Sequence, residues 1–381
     1  MNPIFALKRA AGARRFQRPV SQFSNSLFGR TFPPDARTRV AIYYHPNVIS
    51  WSLIYPYVKY EETLKERYGV ALSLRPVDEF LAGDADHSAD VIVVQPWFTV
   101  DPATLERALA DCRSTNRSAR IVFLDPSAHC DLRLGRFVAP HIDLYQRKAL
   151  FKDRSAFTQP FRGDTNLVDY YSALHGLEAP VVDWEAPADL LDRLALAPNF
   201  LLDPTLAAGF LGESPVGGDR PIDLHCRLAT RGSPWYQAMR LHAEEAARGI
   251  DGIRQTPDGR IPRKAFLAEM RQARLCWSPF GYGELCWRDL EAFMTGAVLV
   301  KPDMGHLETC PDLYVPGETY LPVKWDFSDL EDVVRAALDD PERCRRIAET
   351  AFAKARDYIE TDRFVDEVSE HFALERPALL A

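Results

Sequence analysis

The chain has 381 residues, 46% of them apolar, with 54 acidic against 46 basic side chains and a net charge of −8. That is more chain than one hydrophobic core usually organises and too apolar for a disordered one, so two domains are expected. Residues 1–39 hold eight Lys and Arg against Asp35 alone, a segment of +7 that leaves −15 for the body, so a general nucleic-acid-binding protein is excluded.

In chain order, residues 1–38 read as a basic arm in which cations alternate with Phe5, Phe16, Phe23, Phe28 and Phe32. That mixture suits an anionic membrane surface; the alternative is an arm packed on its own acidic body. Residues 40–44 (VAIYY) then read as a buried strand, 57–68 as a helix of mixed charge, and 71–74 and 91–95 (VIVVQ) as strands. A helix over about 102–113 and a strand at 121–124 (IVFL) follow. Short β-rich runs separated by helices predict β-α-β units around a parallel sheet, the first domain spanning 39–195. Ligands bind such sheets beyond the carboxyl ends of the strands. The residues to inspect are therefore His45-Pro46-Asn47, Pro96-Trp97 and Asp125-Pro126-Ser127-Ala128-His129. Residues 143–154 (DLYQRKALFKDR) read as a basic helix, either solvated or a lip for an anionic acceptor.

Between 179 and 220 five prolines and Gly217-Gly218 mark the connection, with the linker proper at 196–220. The α/β rhythm restarts in a second domain, 221–360, with strands at 222–226, 275–278 and 297–301 and helices near 235–248 and 263–272. Helices near 330–338, 341–358 and 362–372 close the chain, and 361–381 form a terminal helix and tail. The seven cysteines are widely spaced without a C-x-x-C pair, as expected of reduced thiols in the cytoplasm. No apolar run approaches the roughly 20 residues of a membrane span. Lys8 and Arg9 interrupt any signal-peptide core, so secretion by that route is not expected.

The most informative stretch is 273–301, ARLCWSPFGYGELCWRDLEAFMTGAVLVK. A strand runs into Ser278-Pro279-Phe280-Gly281-Tyr282-Gly283, and a helix is expected from Glu284. Glycines two apart let the backbone turn tightly, and the helix behind them points unpaired N–H groups at a ligand, which suits a phosphate or a sugar. Glu284, Arg288, Glu291 and Thr295 share one face of that helix, and Gly296 supplies its stop. The stripe is either a solvated face or a ligand site; its start at a strand's carboxyl end favours the ligand.

Together SPFGYGE, R-D-L-E-A, G-A-V-L-V and the tail PERCRRIAETA make residues 220–360 resemble the C-terminal domain of GT-B glycosyltransferases of the group 1 type, in a divergent branch with an R-x-x-E-A donor-site helix. The resemblance implies two Rossmann-like domains facing a cleft, with the C-terminal helices packing back on the first. It implies hexosyl transfer from a nucleotide-diphosphate sugar, of UDP or GDP type, with no obligatory cofactor or metal. Glu291 would hold the donor ribose and Glu284 approach the sugar, although the family has seven residues between its two acids and this chain six. Arg227 and Arg231 are implied as the grip on the diphosphate, each with a surface ion pair as its alternative. Gly281, Tyr282, Gly283 and Arg288 complete the donor side. On the acceptor side His45, Asp125 and His129 are the groups suited to act as general base, should the reaction invert configuration. Lys301, Asp303, His225 and His306 follow neighbouring strands and either edge the cleft or make structural hydrogen bonds. The implied acceptor is a carbohydrate or a lipid-linked glycan of the bacterial envelope, met on the inner face of the membrane through residues 1–39.

Asp84-Ala85-Asp86 has the form of the metal–diphosphate motif of another glycosyltransferase fold, but it follows a helix end, so no metal is expected there. Gly281-x-Gly283 with Asp303 fits an NAD fingerprint in part, yet Cys286 stands where its third glycine belongs. A non-catalytic nucleotide or sugar binder of the same fold is the other alternative.

Overall fold

The structure, a computed structural model, describes residues 32–375 apart from 164 and 183–185. The basic arm as far as residue 31, and with it most of the expected membrane contact, lies outside the described residues. Six strands form the first sheet: β1 (Thr38–Tyr44), β2 (Val70–Pro76), β3 (Val91–Gln95), β4 (Arg120–Leu124) and β5 (Leu144–Arg147), then, after the short β6 (Ala149–Phe151), β7 (Phe161–Arg162) and β8 (Val181–Val182), β9 (Leu194–Leu196). All six are parallel, in the order β2-β1-β3-β4-β5-β9. The central β3 is buried along its whole length, which is why it reads as an unbroken apolar run.

Where the sequence suggests one helix over 57–68 the structure has two, Val48–Lys59 and Glu61–Tyr68, meeting at Tyr60. Asn47 caps the first, its Oδ1 accepting from the Ser50 amide at 2.9 Å. Pro56 inside this helix disguises it, because a proline offers no N–H to the preceding turn; burial of Ser50–Val58 supplies the stability that propensity does not. Residues 143–154, expected as a basic helix, are instead the strands β5 and β6 with a following turn, and Arg147 and Lys148 are buried. Within the proline-rich stretch, β9 becomes the edge strand of the first sheet, and the helix Pro204–Phe210 packs on the helices Trp287–Thr295 and Pro341–Glu360.

The second sheet is also parallel. It holds β10 (Ile222–His225), β11 (Ala273–Trp277), β12 (Val298–Pro302) and β14 (Tyr320–Val323), in the order β10-β11-β12-β14. The remaining strand, β13 (Leu307–Thr309), leaves this sheet and pairs antiparallel with β6, so the two halves share a small ladder in which Leu150 faces Glu308. Arg154 reinforces it with an ion pair to Glu308 at 2.7 Å, and Tyr171 donates to the Trp325 carbonyl at 2.9 Å. After the helix Pro341–Glu360, the last helix, Arg363–His371, returns to the first half. There Phe364 meets the Tyr57 ring edge-on at 5.1 Å and Arg120 Nε donates to the His371 carbonyl at 2.6 Å. No described helix is long and apolar enough to cross a membrane.

Acid is expected to weaken this return. Burial, and then the Arg120 charge, press the His371 imidazole from 6.5 down to about 4, and its Nδ1 accepts from Gln146 Nε2 at 2.8 Å. The unfolded ring takes up a proton that the folded one refuses, so this stability is complete above pH 6.5 and is lost as pH falls from there towards 4. Thermal melts between pH 7.5 and 4.5 should show the loss, on the order of 2 kcal/mol, and His371→Gln should flatten it. An unchanged pH slope in the variant would remove His371 as the cause.

Candidate functional site

The site is built on the turn after β11. The Gly281 amide donates to the Gly283 carbonyl at 3.0 Å, which folds the glycine loop back on itself. The helix behind it begins at Trp287 with Cys286 as N-cap, three residues later than expected, and ends at Gly296 in the left-handed region, φ +73°. Asp289 accounts for the late start: its carboxylate reaches back to the Cys286 amide at 3.0 Å and also accepts from Ser278 Oγ at 2.6 Å, Tyr314 at 2.9 Å and Lys301 at 3.1 Å. Lys301 is thereby committed to a wholly buried ion pair rather than edging a cleft. Asp303 likewise accepts from Tyr320 at 3.1 Å.

Glu284 therefore stands in the loop, off the helical stripe. Its buried carboxylate crosses to the first half, accepting from Asn166 Nδ2 at 3.0 Å and lying 3.4 Å from His306 Nε2. Burial alone would lift this carboxyl, but the His306 and Asn166 contacts and the His306 charge hold it below its usual value. The neighbouring Gly283 sits so close to the Ala128 carbonyl that a Cβ would run into it. Glycine is required here by the approach of the two halves, and Ala128 belongs to the loop that follows β4. At the same seam the His129 ring lies 6.3 Å from Tyr282, which stacks on Tyr236 at 4.5 Å.

Of the arginines after β10, Arg227 is already occupied. It grips Glu269 through Nε and Nη2 at 2.5 and 2.8 Å and donates through Nη1 to the carbonyls of Asp258 and Gly259. Arg231 is exposed and makes no ion pair with a described residue. Arg288, in the first turn of the Trp287–Thr295 helix, donates one bond, to the Arg227 carbonyl at 2.7 Å. His225 lies buried 3.3 Å from Glu269, where burial and the Arg288 charge lower its pKa. The guanidinium absent from the sequence expectations is Arg240. It is 5% exposed, projects from the buried face of the helix Pro234–Arg248 beside Tyr236, and makes no hydrogen bond or ion pair with any described residue. One of its nitrogens would lie 3.9 Å from a Cβ at Gly281. Burial and the nearby Arg288 charge both oppose its positive charge. The signal was in the sequence: Arg240 interrupts the apolar face marked by Tyr236, Met239, Ala243 and Ala247.

Glu291 is nearly buried on the next turn of the helix, paired with Arg263 at 3.1 Å, and burial raises its carboxyl above the ordinary value. Asp125, at the end of β4, is wholly buried in an ion pair with Arg147 at 2.5 Å, and accepts from Tyr145 at 2.6 Å and the Ser127 amide at 2.8 Å. Burial would raise its pKa, yet Arg147 and these donors lower it on balance. Arg147 also donates to the carbonyls of His129 and Asp131, so the pair shapes the loop that meets Gly283. His45 stacks on Trp97 at 5.0 Å, two strands away from this loop, and burial lowers its pKa. The structure thus gathers Gly281, Tyr282, Gly283, Glu284 and His129 at one seam; Arg288 lies behind it within the second half, Arg227, Asp125 and Glu291 are held in ion pairs, and His45 stands apart. Asp86 pairs with Arg75 at 2.8 Å, and among the described residues no three His, Cys, Asp or Glu side chains are grouped to hold a metal ion.

No protein-family model and no curated protein sequence matches the chain. Among solved structures it is similar to an alpha-glucosyltransferase in complex with UDP and a 13-mer DNA, at 11% identity, covering 88% of this chain and 99% of that one with a TM-score of 0.50. Weaker likenesses are OtsA (11% identity, 88% and 99% covered, TM-score 0.45) and sucrose-phosphate synthase from Thermosynechococcus elongatus (12%, 88% and 98%, TM-score 0.44). With two parallel sheets meeting at the ends of β4 and β11, and a last helix that returns to the first half, the chain has the GT-B glycosyltransferase fold.

Proposed function

We propose that the chain is a glycosyltransferase that takes a sugar from a nucleotide-diphosphate donor, of UDP or GDP type, without an obligatory metal. The observation that carries this reading is Arg240, a buried guanidinium that makes no hydrogen bond or ion pair with any described residue, beside Arg288 and the Gly281–Gly283 turn. Burying an unpaired charge is costly, and an anionic group that fills the gap offsets the cost through charge-assisted bonds. The N-terminus of the Trp287–Thr295 helix, the positive end of its dipole, favours the same ligand.

In this account Arg240 and Arg288 hold the diphosphate, Glu291 the ribose, and Glu284 a sugar hydroxyl. An acceptor hydroxyl attacks the anomeric carbon, the bond from that carbon to the diphosphate oxygen breaks, and the electron pair leaves with the phosphate. The two guanidiniums stabilise the charge that grows there. His129, at the seam, is the strand-end base best placed to take the hydroxyl proton, since Asp125 is committed to Arg147 and His45 lies two strands off. The acceptor we favour is a carbohydrate or lipid-linked glycan of the bacterial envelope, as the net charge of −8 opposes a nucleic acid. Glu291→Ala should raise the donor dissociation constant about tenfold, near 1.4 kcal/mol, measured by calorimetry. Unchanged affinity would remove the ribose assignment.

A further inference from the structure

A separate group of arginines lies at the other end of the second sheet, where β10, β11 and β12 begin. There Arg220, Arg254, Arg274 and Arg345 line a cavity of about 410 Å³ together with Asp219 and Glu342. Gly217-Gly218 also line it, and a Cβ on either residue would meet nothing within 4 Å. The cavity is set apart from the glycine turn by the length of a helix. Arg220 donates to the carbonyl of Thr295 at 3.0 Å, and Thr295 ends the nine-residue helix whose first turn carries Arg288.

Acids stand around this cavity, but they leave donors over. Asp223 takes both Arg254, at 3.1 Å, and Arg274, at 3.5 Å, and Asp219 adds a second negative charge near Arg254. Arg345 takes Glu342 at 3.0 Å and Glu349 at 2.7 Å on the helix surface. Arg220 has neutral acceptors alone, the carbonyls of Ala273, Pro215 and Thr295, and burial presses its pKa down. Arg220 Nε, Arg254 Nη1 and Arg274 Nε then donate to no described residue. The helix Pro341–Glu360 starts on the same wall and adds the positive end of its dipole. Guanidiniums with N–H groups to spare suit the oxygens of a phosphate, and the volume is that of a small-molecule site. We propose that this cavity binds the phosphate group of a small phosphorylated metabolite, as a second anion site separate from the donor side. The site goes beyond the nucleotide-sugar reading and stands without it.

The test titrates wild type, Arg254→Met, Arg274→Met and Arg240→Met with ribose 5-phosphate, inorganic phosphate, ribose and UDP by calorimetry, with a melting curve on each preparation. Wild type should bind ribose 5-phosphate and phosphate, and ribose not measurably. Arg254→Met and Arg274→Met should each bind both phosphates at least about tenfold more weakly. Arg254 is the safer substitution for folding, because its side chain is 65% exposed and Asp223 keeps Arg274 as a partner. Arg240→Met should keep the phosphate binding while losing UDP. Phosphate binding that Arg240→Met abolishes and Arg254→Met leaves intact would assign the anion to the donor side and overturn the cavity site. No binding of either phosphate by wild type, or ribose bound as tightly as its phosphate, would overturn it as well. If the phosphates behave as expected and UDP does not bind, the donor reading alone falls.

Discussion

Replacing Arg240 by methionine is expected to weaken nucleoside-diphosphate binding at least about 100-fold, near 2.7 kcal/mol, while leaving thermal stability unchanged or higher. The two halves of this result have one cause. In the free protein the guanidinium is buried with no hydrogen-bond acceptor among the described residues, so its removal relieves a desolvation cost instead of breaking a bond. In the complex the same group faces the diphosphate, and deleting one side of a buried charge pair typically costs about 2–5 kcal/mol. Lysine at this position should recover part of the affinity, since it restores the charge but not the planar fork. Calorimetry and melting curves on the same preparations check both halves. A variant that is destabilised and binds normally would make Arg240 a structural residue.

The opposite outcome is expected at Asp125, the strand-end carboxylate that sequence position alone offers as a base. Asp125→Asn should destabilise the protein by about 3–5 kcal/mol, because Arg147 would be left as an uncompensated buried charge. Joining it to Arg147→Met should restore part of the loss, as removing both partners of a buried pair often does. Urea denaturation of the single and double variants separates the two effects. The low pKa of Asp125 agrees with an ion-pair role: it stays ionised through the neutral range and has little tendency to take a proton. A single variant of normal stability that binds donor but fails to transfer sugar would instead return Asp125 to the chemistry.

The parts of the fold legible in the sequence are those whose cause is local. The runs VAIYY, VIVVQ, IVFL and AVLVK announce buried parallel strands because nothing polar interrupts them, and Gly281, Gly283 and Gly296 mark the turn and the helix stop that bracket the site. What stayed hidden depends on partners distant in the chain. β5 reads as a basic helix until Gln146 meets His371, 225 residues on, and Arg147 meets Asp125. Asp289 looks like one more exposed acid until Ser278, Tyr314 and Lys301 converge on it, and that convergence moves the helix start past Glu284. Arg227 follows β10, as a phosphate-binding group would, but Glu269 on a neighbouring helix has already claimed its fork. Arg240 was legible as a charge on an apolar helical face, though its meaning depends on its making no hydrogen bond or ion pair with a described residue, which only the packed structure reveals.

In the proposed function, protein groups alone, around Arg240 and the glycine turn, bind a nucleoside diphosphate. Titrating the wild-type chain with UDP, GDP, ADP and TDP in the presence of EDTA tests it most directly. Saturable one-to-one binding of one of these nucleotides, unaffected by added magnesium, is the expected result. No binding of any of them, or binding that appears only with the metal, would contradict it.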